Sequence, residues 1–233
     1  MLPSKALFFI FIACLGHITR AGDKQNVIIE IKPVFAGRLL TISTATYVSS
    51  GGDTLSIDRF RFYVSAIVLT LENGEKFIEQ NSYHLIDVED PSSFIVILQN
   101  VPTAKISSID FNIGVDSTAS VSGALAGELD PVKGMYWAWN SGYINAKLEG
   151  TCKSNKGKKN HPFEFHVGGY LLPHYAIRSV KLNLQTPGSK IILMADASAW
   201  LDGVDLKKEN SVMIPGREAM QVADKYSKMF STN

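Results

Sequence analysis

Short runs in which apolar and polar residues alternate at every second position recur along this chain. That period restricts them to β-strands half-buried against a core. Ile109, Phe111, Ile113 and Val115 alternate with Asp110, Asn112 and Gly114. In the segment YINAKLE, Ile144, Ala146 and Leu148 share one face, and Tyr143, Asn145, Lys147 and Glu149 the other. Val27 to Ile31 forms a shorter strand candidate. Val180, Leu182 and Leu184, then Ile191 to Ala195, give two more around Thr186-Pro187-Gly188. Phe60 to Leu71 is rich in β-branched and aromatic residues and stops at Asn73-Gly74, a strong turn signal. Many short strands with turn residues at intervals of roughly eight to twelve positions predict an all-β sandwich. The exception follows Pro215-Gly216. There Ala219, Met220, Ala223, Tyr226, Met229 and Phe230 recur at helical spacing, which predicts a short C-terminal helix packed on the sandwich. No repeat, linker or charge block divides residues 22–233, so the expectation is a single domain.

The first residues read as an address. Lys5 is followed by the apolar run Ala6 to Leu15, too short to span a bilayer and succeeded by polar sequence. Residues 1–21 are expected to be a signal peptide, cut after Ala21 with the small Thr19 two places before. A second route to export acylates Cys14 in FIAC, giving an outer-membrane lipoprotein. Either way the mature protein is periplasmic or secreted, and Cys152 has no partner for an internal disulfide. Cys152 stands beside the Lys-rich stretch Lys153 to Lys159, which predicts an incidental, exposed thiol next to a solvated loop. With 23 basic and 22 acidic residues the formal net charge is +1, which provides no field to hold a nucleic acid.

The chain has no GxSxG elbow, no phosphate-binding GxxxxGK[ST], no HExxH, no paired CxxC and no dinucleotide fingerprint. Two stretches carry more chemistry than a plain sandwich needs. In the first, Met135, Tyr136, Trp137, Trp139 and Tyr143 crowd together. Trp137 and Trp139 are two apart and share a face if the backbone is extended. That is either an aromatic core cluster or a redox-active or ligand-binding site. In the second, Phe163 to Tyr175, the residues Phe163, Phe165 and Val167 share one face. His166 then lies on the other with Glu164, free to bind metal or accept a proton. His161 and His174 flank the same strand, and His84 lies in YHLID. No two of these sit at HxH or HxxxH spacing.

The segments FRFYVSAIVL, YHLID, FNIGVD, LDPVKGMYWAWNSGY, KLEG and FHVGG occur here in the order in which they occur in the MbnP-like family. IPGREAMQVADKYSKMF resembles the ending of many members, so the resemblance runs from about Val27 to Phe230. It implies an exported β-sandwich related to copper-responsive proteins of methane-oxidising bacteria. In such proteins a tryptophan is oxidised to kynurenine and joins histidines around copper. The oxidation is carried out by a di-haem cytochrome c peroxidase partner of the MauG kind. Opening the indole pyrrole ring creates an aromatic amine and a ketone, and imidazole nitrogen suits copper. The protein would be a substrate and a binder, with no turnover of its own. Carried over residue by residue, Trp137 or Trp139 is the candidate for oxidation. His84 and His166 are the expected metal ligands, with His161 and His174 next. One departure stands out: a related copper protein has a histidine two places after the modified tryptophan, where this chain has Trp139. The competing reading is a metal-free module whose Trp and Tyr cluster stacks on a sugar or protein partner.

N-terminal sequencing of protein from its own host is expected to begin near Gly22, or at a lipidated Cys14. An intact Met1 would contradict export. The far-ultraviolet circular dichroism of the mature chain is expected to be dominated by β-structure, and a mostly helical spectrum would contradict the sandwich.

Overall fold

The computed structural model describes residues 23–140, 142–153, 160–185 and 188–232. The leader with Cys14, the Lys-rich stretch beyond Lys153 and the Thr186-Pro187 turn lie outside the described residues. The rest is a two-sheet sandwich. The five-stranded sheet is built around β1 (Lys24–Phe35), which pairs in parallel with β13 (Lys190–Asp196). β1 also pairs antiparallel with β2 (Arg38–Leu39) and β7 (Ile95–Pro102), and β15 (Phe230–Thr232) completes the sheet beside β13. The ten-stranded sheet runs in the order β12 (Arg178–Asn183), β8 (Ile106–Ile113), β4 (Thr54–Leu71), β10 (Gly142–Lys153), β11 (Asn160–Gly168) and β14 (Ser211–Val212). The short β3 (Tyr47–Val48), β5 (Lys76–Ile78) and β6 (Tyr83–Asp87) also pair with β4, and β9 (Tyr136–Trp137) pairs with β10.

The predicted strands all form, and β4 is the organising one. It pairs with β10 through residues 54–62 and with β8 through residues 64–71. The register shifts between Ser65 and Val68, where Ala66 has φ +52. An irregularity of this kind bends and twists a strand, which lets one edge serve two partners in succession. Between the sheets lies the main core, with Ile29, Ile31 and Leu193 from one and Phe60, Phe62, Leu148 and Phe165 from the other. Each such side chain, fully buried, stabilises the fold by roughly 1.5–3 kcal/mol.

A second, smaller apolar cluster covers the opposite face of the larger sheet. Tyr63 and Leu85, paired across β4 and β6, lie there, because their neighbours Phe62, Val64 and Ile86 point into the main core. Val115, Ala119, Leu129, Met135, Trp137, Tyr143 and Ile144 join them. The segment between β8 and β10, which includes α1 (Ser117–Val121), is thus folded back over the outer face of the sheet.

That cover changes three expectations. β10 is buried on both faces, so Tyr143, Asn145 and Lys147, on the expected polar side, are shielded from water. Cys152 is not an exposed thiol: it falls on the core side of β10 with Leu148, between Leu55 and His161, and is fully buried. The C-terminal helix, α2 (Arg217–Tyr226), buries Ala219, Val222, Ala223 and Tyr226 but stops short of Phe230. Phe230 lies in β15 instead, its ring edge-on to Phe62 at 5.6 Å and to Phe111 at 4.8 Å. Core contact in an extended segment outweighs one more helical turn there.

Burial and the Asp53 carboxylate both push the Cys152 thiol above its ordinary pKa, so thiolate is scarce in the folded state. A thiol-alkylating reagent is expected to leave native protein unmodified and to label Cys152 fully once denaturant unfolds it. Rapid labelling of the native state would contradict the core placement.

Candidate functional site under Trp137

The outer face of the larger sheet carries a charged row. Across β6, β4, β10 and β11 the register aligns Asp87, Arg61, Lys147 and His166. One pair of residues along, Arg59 stands opposite Glu149 and Glu149 opposite Glu164. Arg61 Nε lies 2.8 Å from Asp87 Oδ2, and Arg59 and Arg61 both reach Glu89. Two cations of the row also hold the loop above it. Arg61 Nη1 donates to the Lys133 carbonyl at 3.0 Å, and Lys147 Nζ donates to the Gly134 carbonyl at 2.8 Å. Burial lowers the Lys147 ammonium pKa below its ordinary value, against the pull of nearby Glu149.

The loop is preformed to receive them. Asp130 caps a tight turn over Pro131–Lys133 by accepting from the Val132 N–H at 2.9 Å, and Gly134 ends that turn at φ +71. Upstream, the Tyr143 hydroxyl donates to the Leu129 carbonyl at 2.9 Å and accepts from the Leu125 N–H at 3.0 Å. Tyr63 donates to the Glu128 carbonyl at 3.0 Å. Downstream, Trp137 pairs with Gly142 as β9 joins β10. In the DPVKGMYW string, residues 130–134 thus make the turn, and Met135 and Trp137 fill the cluster beneath it.

Trp137 is thereby laid on Gly168 of β11. A Cβ on Gly168 would stand 2.7 Å from Trp137 Cζ3 and 2.6 Å from the Tyr143 carbonyl oxygen, so only glycine fits beneath the indole. His166 lies two residues earlier on the same strand face, about 7 Å along β11 at ordinary strand rise. Its Nε2 stands 2.7 Å from Glu149 Oε1. Glu149 also takes Arg59 Nη1 at 3.2 Å and has Lys147 Nζ 4.0 Å away. Burial, and then the Lys147 charge, hold the His166 pKa below its ordinary value despite Glu149, so the imidazole is neutral at pH 7.

The expected site residues are therefore divided. Trp137 and His166 come to one face. Trp139 does not share the face of Trp137, because β9 ends at Trp137 and the chain turns. Trp137 is 5% exposed and Trp139 64%, yet their rings touch at 5.7 Å with a 46° tilt. Trp139 lines an open crevice of about 380 Å³ with Leu172, His174 and Ile214. His84 pairs with Val64, on the core-side face with Phe62 and Ile86, and its Nε2 lies 2.9 Å from Glu79. The fold does not bring it to His166. His161 stands opposite Cys152, also off the face of His166. Among the described residues, no three His, Cys, Asp or Glu side chains are grouped to hold a metal ion. Sequence reading passed over Arg61, Lys147, Glu149 and the role of Gly168. The signal available was the Lys-x-Glu of KLEG, two charges on one strand face in a segment otherwise apolar.

Replacing Gly168 by alanine is expected to lift the Trp137 ring. The measurable results are a red-shifted tryptophan emission, a changed near-ultraviolet circular dichroism spectrum and lower thermal stability. Unchanged spectra would contradict the packing described.

Comparison with known proteins agrees with this architecture. A solved structure, MbnP from Methylosinus trichosporium, superposes with a TM-score of 0.61 at 17% identity, covering 85% of this chain and 83% of that one. At that identity the likeness concerns the fold. No curated protein matches the sequence. A family model for MbnP matches residues 24–214, from the start of β1 to just before α2. On that match, which covers most of its length, the chain belongs to the MbnP family.

Proposed function

We propose that this is an exported copper-binding protein whose site lies on the outer face of the larger sheet, between residue 137 and His166. The observation that carries the reading is the placement of the Trp137 indole on Gly168, one strand repeat from a neutral, carboxylate-paired imidazole. The donors fit copper by type: imidazole nitrogen is a suitable ligand for it. In this reading Trp137 is oxidised to kynurenine by a di-haem peroxidase partner, and the aromatic amine so formed supplies a further donor. Copper when bound would supply the ligand-field and redox chemistry. The chain's own residues do the rest. Arg61 and Lys147 hold the loop carbonyls, Gly168 gives the ring its seat, and Glu149 orients His166. Trp139, exposed beside the Trp137 ring, is the ring an external oxidant meets first, and His174 lines the same crevice as Trp139. His84, on the other face, is outside this ligand set.

A second reading has its own observation. Trp139, Leu172 and Ile214 are at least 60% exposed around one crevice, and Leu171 is nearly as open. Such a surface stacks on a sugar ring or a protein side chain without any metal.

Two variants separate the readings. In protein from its native host, His166→Ala is expected to lose most bound copper while keeping its β-sheet spectrum, because the ring lies off the main core. Trp137→Phe is expected to abolish the modified peptide within Met135 to Lys147, since only an indole opens in this way. Wild-type protein with an unmodified Trp137, and with copper no higher than in His166→Ala, would leave only the stacking surface.

A further inference from the structure

We infer that Glu149 is a positioning residue that fixes His166 as its Nε2–H tautomer, leaving Nδ1 as the ring's donor atom toward copper. The inference rests on the copper reading for its purpose, although the tautomer itself does not need a metal. A carboxylate oxygen only accepts, so the ring nitrogen 2.7 Å from Glu149 Oε1 must carry a hydrogen. A neutral imidazole, the form that binds a metal ion, has one such hydrogen. Nδ1 therefore holds the lone pair. Among the described residues, the only hydrogen bond His166 makes through its ring is the one to Glu149.

Glu149 is suited to the task because it is itself held. Arg59 Nη1 lies 3.2 Å from Oε2, on the side away from the histidine, and Arg59 is in turn tied to Glu89. Lys147, anchored to the Gly134 carbonyl, adds a positive charge 4.0 Å from Oε1. These two cations hold the carboxylate in place on a central strand, where Glu149 is mostly buried. Carboxylate–histidine pairs of this kind orient metal-binding imidazoles and raise their basicity. Losing the outer partner usually weakens metal binding about 10–100-fold. Lys147 therefore does two jobs with one ammonium: it ties down the loop that carries Trp137 and it steadies the carboxylate that orients His166.

The test uses the whole mature protein and Glu149→Gln, which keeps the shape but lets the side chain donate as well as accept. Long-range 1H–15N correlation spectra of metal-free, 15N-labelled wild type at neutral pH are expected to show the Nε2–H pattern for His166. Glu149→Gln is expected to lose that bias while retaining its backbone spectrum. Its Cu(I) affinity, measured by competition with a chromogenic chelator on native-host protein, is expected to fall about 10–100-fold. An Nδ1–H pattern in the wild type overturns the inference. So does an unchanged tautomer or unchanged copper affinity in the variant. Wild type that shows the Nε2–H pattern yet binds no copper sinks the copper reading and supports the tautomer assignment.

Discussion

Two cations reaching upward from a β-sheet, Lys147 buried and Arg61 half-buried, hold this structure's distinctive part in place. Arg61 and Lys147 stand side by side on β4 and β10 and end on the consecutive carbonyls of Lys133 and Gly134. Without them the long segment after β8 would meet the sheet through its apolar side chains, the Tyr63 and Tyr143 hydroxyls and the short β9 pairing, with no charged anchor at its tip. With them it is closed at a fixed height, and everything between loop and sheet is shaped by that height. Removing one partner of a buried charged contact typically costs about 3–5 kcal/mol, far more than an exposed ion pair contributes. The charges are therefore an unusual investment on the face of a sandwich. They are compensated by Asp87, Glu89 and Glu149, so no member of the row is left without an opposite charge.

This arrangement makes the sheet do two things at once. Its inner face is an ordinary sandwich core, closed by Trp200, Tyr226 and Phe230 as the chain ends. Its outer face is a platform on which an indole, an imidazole and a carboxylate are set by backbone register. Sites built on strands hold their groups more closely than sites built on loops. Only Trp137 comes from outside the long strands, on the two-residue β9, and the loop before it is bonded at Leu129, Lys133 and Gly134. Gly168 has no room for a side chain, because the backbone of β11 passes directly under the ring there.

Much of the sandwich was legible in the sequence because alternation survives in strands with one wet face, such as Ile109 to Ile113; Val115, beyond Gly114 at φ +120, lies in the second cluster instead. Alternation failed where both faces are dry. In β10 the polar residues Asn145 and Lys147 read as solvent-facing, yet both are buried, Lys147 beneath the returning loop and Asn145 against the Val115 N–H, and only tertiary structure reveals that cover. Cys152 was misread for a related reason: its lysine-rich neighbours suggested exposure, whereas its place two strand repeats after Leu148 puts it in the core. Phe230 continued a helical spacing by coincidence, and its contacts with Phe62 and Phe111 decided for a strand. At the site, facial parity placed His166 opposite Phe163 and Phe165, as found. The partner of that histidine was out of reach, because Glu149 meets His166 only through the pairing register of β10 and β11. The same register separates His84 from His166, which no spacing within the chain expresses.

The central claim is that copper belongs on the outer face, between residue 137 and His166, held by groups that the two loop-binding cations keep in position. A crystal of copper-loaded protein from its native host, with anomalous diffraction collected at the copper edge, tests it most directly. The account predicts one strong peak at coordination distance from His166 Nδ1 and beside residue 137. A peak beside His84 and Glu79 on the opposite face, or none in protein that retains copper in solution, would contradict it.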